Sequence, residues 1–285
     1  MTGERGQTVA EALAWARGVL TGSPTPALDA RVLLEKASGL DRAALIASDR
    51  EPLGSAVAAQ FADLVARRGE GAPVAYLVGQ QDFYGRPFRV GPGALIPRPE
   101  TEMLIDAALS GEASAVLDMG TGSGCLLVTY LAECGDAEGI GIDLSEEALG
   151  YARDNAESHG VADRSTFRLM SFAEAPSALE GPFDLILANP PYISAGTALP
   201  VSVAQYEPAS ALYSGSDGLD AHREVAEAIA QLLDEEGRAF IEIGHDQGET
   251  AAAVYQTALE GRSVQTKKDA AGLARMVAVG PKARL

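Results

Sequence analysis

The residues best suited to chemistry form the segment Asn189-Pro190-Pro191-Tyr192, which directly follows a short apolar run. Two successive prolines cannot continue a strand ladder or enter a helix interior, so they predict a rigid loop at the end of a strand. We expect the side-chain carbonyl of Asn189 and the main-chain carbonyl of Pro190 to accept hydrogen bonds from a planar NH2 group. Tyr192 would stack on that group. Such a loop acts by positioning and electrostatics and needs no strong base.

A second candidate is the turn Gly120-Thr121-Gly122-Ser123-Gly124, which lies between a predicted strand and a predicted helix. Glycines let a backbone turn tightly and approach a ligand closely. Asp143 ends the next predicted strand, as expected for a carboxylate that binds ribose hydroxyls. The Gly-x-Gly-x-Gly spacing differs from Gly-x-Gly-x-x-Gly and therefore favours S-adenosylmethionine, which has no pyrophosphate, over a dinucleotide. A tight turn that binds nothing is the alternative.

The elements that must position these residues alternate between strand and helix from residue 115 onward. This alternation predicts an α/β fold with a parallel sheet and helices on both faces. A closing hairpin is expected near the C-terminus. We predict strands at 115–117, 140–142, 183–188 and 239–243, helices at 145–158 and 219–235, and hairpin arms at 263–265 and 275–279.

The N-terminal part of the chain has apolar residues at helical spacing and lacks strand signals. We predict a helical domain over residues 1–72, with Trp15 in its core because tryptophan is buried on average. Residues 73–99 read as a structured linker that contains a β-hairpin at 83–90 and ends in Pro97-Arg98-Pro99. The catalytic domain is then expected over residues 100–285.

The composition excludes several classes of function. The 285 residues include 47% hydrophobic ones and carry a net charge of -18, which argues against a dedicated nucleic-acid binder. The first residues lack the layout of a signal peptide, and no apolar run is long enough for a membrane span. We therefore expect a cytoplasmic protein, and a monomer. Two cysteines make no disulfide framework, and no metal site is expected because His159, His222 and His245 lie far apart, in surface or helix-end roles.

Several further segments, together with the two motifs above, resemble the HemK/PrmC family over nearly the whole chain. The most specific signal is Pro97-Arg98-Pro99-Glu100-Thr101-Glu102 in the same chain as Asn-Pro-Pro-Tyr. The other matching segments are 28–34, 71–79 with Phe83 and Phe88, 206–219 and 242–247.

This resemblance implies a class I, Rossmann-like methyltransferase sheet, a small all-α N-terminal domain that docks the substrate, and the hairpin linker. The family methylates the side-chain amide nitrogen of the glutamine in the Gly-Gly-Gln motif of class I peptide chain release factors, using S-adenosylmethionine. Gly120–Gly124, Asp143, Phe172 and Asn189 would then bind the cofactor. Asn189, Pro190, Pro191 and Tyr192 would bind the glutamine, with Asn189, Pro190 and Tyr192 as the catalytic residues.

One departure from the family lies before Phe172, where an acidic residue is common and this chain has Ser171. Ser171 would accept more weakly from the adenine amino group, and Glu174 is an alternative acceptor. The role of Arg98 also stays open. It could meet the carboxylate of the cofactor or a neighbouring acid, or pair with Glu100 or Glu207 to fix the linker.

Two other functions compete with the favoured one. An adenine-N6 methyltransferase acting on DNA or RNA would have the same catalytic loop, because both targets are conjugated amines. It should also have a basic face and a recognition insert, which this acidic chain lacks. A non-catalytic module that binds the release factor is the second alternative, although Asn189 and both prolines are intact. No stable nucleic-acid or membrane partner is expected.

Overall fold

A computed structural model describes residues 6–281. The contacts divide the chain into two compact units, residues up to 80 with 200–206, and residues 81–199 with 207 onward. We call them the helical unit and, after the role that the sequence predicts for it, the catalytic unit. The domain boundaries expected at 72 and 99 stay predictions. Within residues 6–281, no helix is both long enough and apolar enough to cross a membrane.

In its described part, the helical unit consists mainly of helices and the segments that join them. The first begins with a capping box, in which Glu11 N donates to Thr8 Oγ1 at 3.2 Å and Thr8 N donates to Glu11 Oε2 at 2.8 Å. A buried ion pair at 2.7 Å joins Arg68 to Asp29. The helices are α1 (Val9–Val19), α2 (Pro26–Ser38), α3 (Arg42–Ala47), α4 (Ser55–Gly69), α5 (Val74–Val78) and the later one-turn α10 (Val201–Ala204).

Trp15 does not belong to the core of the helical unit. Its side chain is 41% exposed, and its ring meets that of Phe61 in a T-shaped arrangement with 6.0 Å between centroids. The core face of α1 is formed by Val9, Ala12 and Ala16. Trp15 precedes Ala16 by one position, about 100° around the helix, so the amphipathic pattern turns it outward. The prediction that Trp15 is a core residue was wrong.

The predicted β-hairpin is present as β1 (Gln80–Phe83) and β2 (Arg86–Arg89). Tyr84 and Gly85 form its two-residue turn with φ of 51° and 70°, the left-handed backbone that tight hairpins require. Phe83 and Phe88 are buried and meet edge to face at 6.0 Å. They belong to a core cluster of the catalytic unit, so this hairpin is packed rather than loose.

A seven-stranded sheet in the order β5-β4-β3-β6-β7-β9-β8 forms the centre of the catalytic unit. The first five strands are parallel, and β9 is antiparallel to both of its neighbours. The parallel strands and the closing hairpin confirm the sequence prediction. The strands are β3 (Ala115–Met119), β4 (Glu138–Asp143), β5 (Ser165–Leu169), β6 (Phe183–Ala188), β7 (Leu233–Glu242), β8 (Ser263–Lys268) and β9 (Ala274–Gly280).

Helices cover both faces of this sheet. Successive strand residues point to opposite faces, so Val116 and Leu117 belong to different core clusters. One face packs against α6 (Glu102–Ala108), α7 (Cys125–Glu133) and α8 (Glu146–Ser158), and the other against α9 (Ala175–Ala178), α11 (Asp220–Leu232) and α12 (Gly248–Ala258).

Two element boundaries differ from the sequence prediction. The helix expected to reach residue 235 ends at Leu232, because Leu233 already pairs with Phe183 as the first residue of β7. The edge strand β5 was not predicted. Its residues are half-buried or exposed, and they include Thr166 and Arg168, so the apolar signal of a buried strand is missing.

His222 also departs from expectation, since it is fully buried rather than at the surface or at a helix end. Its Nδ1 lies 2.9 Å from the hydroxyl of Tyr255 on α12. Burial lowers the pKa of His222 to about 4, so the imidazole is neutral at physiological pH. Both cysteines are free thiols. Among residues 6–281, no three His, Cys, Asp or Glu side chains are grouped closely enough to hold a metal ion.

Candidate active site

The parallel register brings the candidate residues to one edge of the sheet. Met119 on β3 lies level with Ile142 on β4 and Ala188 on β6, and Ala188 lies level with Ile241 on β7. The chain order reverses between β3 and β6, which is where open α/β sheets bind ligands beyond the carboxyl ends of their strands. The next residue along each of these four strands is Gly120, Asp143, Asn189 or Glu242.

A cleft opens at this edge and joins the glycine turn to the Asn-Pro-Pro-Tyr loop. Its volume is about 870 Å³, with open solvent at the mouth included. Of the other predicted residues, Gly124, Pro190 and Tyr192 do not line it, and Tyr192 is half-buried within the loop. The predicted residues that line the cleft are Gly120, Thr121, Gly122, Ser123, Asp143, Phe172, Asn189 and Pro191.

The glycine turn has the left-handed backbone that its sequence predicts. Gly120 has a φ of 75°, and a Cβ there would lie 3.3 Å from Phe172 Cζ. Gly124 has a φ of 81°, and a Cβ there would lie 3.1 Å from the Cβ of Ala152 on α8. The conformation and the close packing therefore both require glycine at these two positions.

Asp143 is held by backbone donors at the end of β4. Its Oδ2 accepts from Gly122 N and its Oδ1 from Ser145 N, both at 2.9 Å. Burial raises the pKa of Asp143, although these backbone hydrogen bonds oppose the rise. Each carboxylate oxygen keeps a second lone pair, and the side chain lines the cleft, so a hydroxyl pair can bind here.

Two buried polar atoms beside the glycine turn have no hydrogen-bond partner among the described residues, Asp118 Oδ1 and Ser123 Oγ. The other oxygen of Asp118 accepts from Thr121 Oγ1 at 2.6 Å and from Leu127 N at 3.3 Å. Burial raises the pKa of Asp118 to about 7. Ser123 lines the cleft, and a buried hydroxyl without a partner there fits a polar ligand.

Asn155 on α8 fastens the glycine turn to the hairpin. This fully buried side chain donates through Nδ2 to Ser123 O at 2.8 Å and to Arg89 O at 3.0 Å. Its Oδ1 accepts from Arg89 N at 2.7 Å. One amide therefore satisfies three backbone groups on two separate segments of the catalytic unit.

The segment around Phe172 carries the departure from the family pattern. Glu174 Oε2 accepts from Ser171 N at 2.9 Å and from Ser171 Oγ at 2.7 Å. These hydrogen bonds lower the pKa of Glu174 and keep it ionised. Ser171 and Glu174 are thus hydrogen-bonded to each other beside Phe172, and Glu174 is the charged hydrogen-bond acceptor of the pair.

Residues 189–192, which we call the catalytic loop after their predicted role, are held by hydrogen bonds to residues outside the loop. Asn189 Nδ2 donates to Thr101 Oγ1 at 3.2 Å, and the Tyr192 hydroxyl donates to Glu242 Oε1 at 3.2 Å. Gln247 Nε2 donates to the main-chain oxygen of Tyr192 at 2.9 Å. Burial, and then the nearby Glu242, raise the pKa of Tyr192, so its phenol stays protonated.

Arg98 pairs with Glu207, one of the partners considered for it. Glu207 is 5% exposed, and its Oε2 also accepts from Ile96 N at 3.1 Å. This carboxylate therefore fixes the backbone before Pro97, which lines the cleft. Within the catalytic unit, Arg98 serves to hold that segment in place.

Sequence reasoning assigned no role to Thr101, Asn155 or Glu242. Glu242 had a usable signal, because it is an acid within the apolar run from Phe240 to Ile243. Buried acids in strands are uncommon unless they are paired. Thr101 and Asn155 are polar residues of helix starts and helix faces, where solvent exposure is the ordinary expectation, so their burial could not be read from the pattern.

The sheet order, the glycine turn after β3, the acid after β4 and the Asn-Pro-Pro-Tyr loop after β6 define a class I methyltransferase. A methyltransferase from Pyrococcus furiosus has the same fold, with a TM-score of 0.52 at 19% identity, and the match covers 78% of this chain and 98% of that one. Family models match residues 11–79 as the PrmC N-terminal domain and residues 110–273 as a methyltransferase domain.

Curated relatives show which family of methyltransferases the chain resembles. The Cereibacter sphaeroides protein named release factor glutamine methyltransferase is 45% identical over 240 residues, which are 83% of this chain and 85% of that protein. The Bradyrhizobium diazoefficiens protein of the same name is 39% identical, with 88% and 86% covered. The chain belongs to the release factor glutamine methyltransferase family. The predicted family, fold class and enzyme type are confirmed.

Proposed function

We propose that this protein methylates the side-chain amide nitrogen of the glutamine in the Gly-Gly-Gln motif of class I peptide chain release factors, with S-adenosylmethionine as methyl donor. The observation that carries the proposal is the single cleft that joins the glycine turn to Asn189. The amide nitrogen of Asn189 is occupied by Thr101, which leaves its carbonyl oxygen to accept from a substrate NH2 group. The names of the relatives point to the same substrate.

The residues around the glycine turn suit the cofactor, which supplies an electrophilic sulfonium methyl when bound. We assign the ribose hydroxyls to Asp143, whose free lone pairs face the cleft, and the adenine edge to Phe172 beside Gly120. The unpartnered Ser123 hydroxyl suits a polar group of the ligand. We also assign Thr121, Gly122, Gly124 and Asn189 to cofactor binding.

The catalytic loop is proposed to orient the glutamine amide. A carboxamide nitrogen is a poor nucleophile because its lone pair is delocalised into the carbonyl group. Two fixed acceptors, Asn189 Oδ1 and the main-chain oxygen of Pro190, would hold its two N–H bonds and favour a pyramidal nitrogen. Tyr192 would stack on the amide plane, and Pro191 would stiffen the loop. This arrangement supplies pre-organised electrostatics rather than a base.

The helical unit is proposed to dock the release factor while the glutamine loop enters the cleft. Large apolar side chains stand exposed on this unit, among them Trp15, Val19 and Ile46 at 41%, 44% and 66% exposure. Exposed apolar side chains are typical of surfaces that bind another protein. We further propose that the enzyme is a cytoplasmic monomer without a stable nucleic-acid or membrane partner.

Labelled-methyl transfer to a purified class I release factor tests this function. We expect one methyl group per release factor, and no transfer to a release factor whose Gly-Gly-Gln glutamine is replaced by asparagine. The Asn variant keeps the amide and shortens the side chain by one methylene, so it is a matched control. Duplex DNA serves as the second acceptor. Incorporation into DNA, with none into the release factor, would favour the adenine-N6 alternative instead.

A further inference from the structure

The hydrogen bonds of the catalytic loop converge on one buried carboxylate. Glu242, the last residue of β7, is 3% exposed. Its Oε2 accepts from Thr101 Oγ1 at 2.5 Å, and its Oε1 accepts from the Tyr192 hydroxyl at 3.2 Å. Thr101, itself 1% exposed, accepts from Asn189 Nδ2 at 3.2 Å. Glu242 is therefore connected to two residues of the catalytic loop.

The direction of donation in this chain of hydrogen bonds determines which way the Asn189 amide faces. A threonine hydroxyl has one hydrogen, and Thr101 gives that hydrogen to Glu242. Thr101 can then only accept from Asn189, so the Asn189 nitrogen must face it. A flipped amide would place Oδ1 against a hydroxyl that has no hydrogen left to give. The Asn189 oxygen is therefore kept away from Thr101.

We propose that Thr101 and Glu242 are positioning residues that hold the Asn189 carbonyl oxygen in the orientation that accepts the substrate amide. Thr101 lines the cleft and acts through its hydrogen bond to Asn189, and Glu242 acts through Thr101 and Tyr192. The proposal deepens the proposed function and rests on it. A buried carboxylate costs desolvation free energy that an apolar pair would avoid, so its retention is better explained by orientation than by stability.

Glu242 serves this purpose best as a carboxylate, since both of its neighbours donate to it. Burial raises the pKa of Glu242 to about 7, with Glu100 adding to the rise and Arg275 on β9 opposing it. Arg275 itself pairs with Asp269 at 3.0 Å. When Glu242 is protonated, one of its two oxygens carries a hydrogen. The carboxyl group then no longer accepts from both Thr101 and Tyr192 in the same way. Methyl transfer should therefore slow as the pH falls through about 7.

The test compares Thr101→Val with Thr101→Ser. Valine keeps the shape of threonine and removes the hydroxyl, whereas serine keeps the hydroxyl and removes the methyl. We expect Thr101→Val to lower the single-turnover rate of methyl transfer to a purified release factor about 10- to 100-fold, the scale of lost outer-shell positioning. Affinities for S-adenosylmethionine and for the release factor should stay within about twofold, and Thr101→Ser should stay near wild type.

Either of two results would overturn the proposal, namely a wild-type rate in Thr101→Val or an equal loss in both Thr101 variants. Should Thr101→Val fail to fold, Glu242→Gln decides the matter through its pH profile. Glutamine does not ionise, so the decline in rate near pH 7 should disappear in that variant, and its persistence would contradict the proposal. A wild-type enzyme that methylates no release factor would reject the proposed function itself, whereas wild-type activity without a Thr101 effect rejects only the positioning roles.

Discussion

The two units use polar and apolar residues in opposite ways. In the described part of the helical unit, one charged side chain, that of Asp29, is buried, and it is paired with Arg68. In the larger catalytic unit, exposed large apolar side chains are few, and buried polar ones are many. Those buried polar residues include Thr101, Asp118, Thr121, Ser123, Asn155, Glu207, Glu242 and Gln247.

This contrast separates two tasks. A protein partner is bound through exposed surface, whereas a small reacting group is oriented by polar atoms held away from water, where each hydrogen bond counts for more. Substitutions of buried polar residues in the catalytic unit should therefore alter chemistry and stability. Substitutions of exposed apolar residues in the helical unit should alter only the affinity for the protein substrate. Substitutions in each unit can test that separation.

Asn189→Ala should have the largest effect. Loss of one pre-organised polar contact should slow methyl transfer at least about 100-fold, because only one of the two proposed acceptors, the main-chain oxygen of Pro190, would remain to orient the substrate amide. Single-turnover measurement with a purified release factor tests this. Ser194→Ala is the matched control in the same loop and should behave like wild type. Unchanged turnover in Asn189→Ala would refute the role given to Asn189.

Asn155→Ala should come next, with an effect on both stability and cofactor binding. It leaves Ser123 O and both backbone groups of Arg89 without their partner, so we expect a loss of about 1–3 kcal/mol in the free energy of unfolding. Affinity for S-adenosylmethionine should fall with it. Urea unfolding and calorimetry measure the two quantities. Glu157→Ala, at an exposed position of the same helix, is the control. An equal loss of stability in Glu157→Ala would show that the loss does not come from the hydrogen bonds of Asn155.

The buried Asp118 should make stability depend on pH. Its folded-state pKa of about 7 lies above the ordinary value, so the folded protein holds a proton that the unfolded chain releases. This contribution is fully present below about pH 4 and is lost as the pH rises to 7, on the order of 1 kcal/mol per pH unit. Asp118→Asn should reduce the slope of stability against pH in urea unfolding curves, and exposed Asp163→Asn should keep the full slope. The slope that remains in Asp118→Asn is expected from Glu242, whose pKa burial also raises to about 7. Equal slopes in wild type and Asp118→Asn would contradict the prediction.

Ile46→Ser should have the smallest effect, confined to substrate affinity. Ile46 is 66% exposed, so its replacement should change stability by no more than about 0.5 kcal/mol. We expect a two- to fivefold weaker apparent affinity for the release factor, roughly 0.5–1 kcal/mol of lost apolar contact. Leu273→Ser, at an exposed apolar position of the catalytic unit, should leave that affinity unchanged. An equal loss in both variants would remove the contrast between the two units.

The buried strands, the hairpins and the position of the cleft could be predicted because each has a local cause, whereas the edge strand β5 has no apolar signal and was missed. Apolar runs mark buried strands, and the parallel arrangement places their carboxyl ends at one edge. Asn189 and Asp143 were found in this way. The burial of His222 and the exposure of Trp15 could not be found, because each depends on which side of a helix meets its neighbours. The roles of Thr101 and Glu242 depend on a contact across 141 positions of sequence, which no local pattern contains.

The way in which the catalytic loop is held has a consequence for protein engineering. Its orientation is set by Thr101 before α6, by Glu242 at the end of β7 and by Gln247 before α12. A graft of Asn-Pro-Pro-Tyr into another scaffold would carry over the four side chains without these supports. A transplant intended to methylate carboxamides would therefore have to include all three anchoring positions.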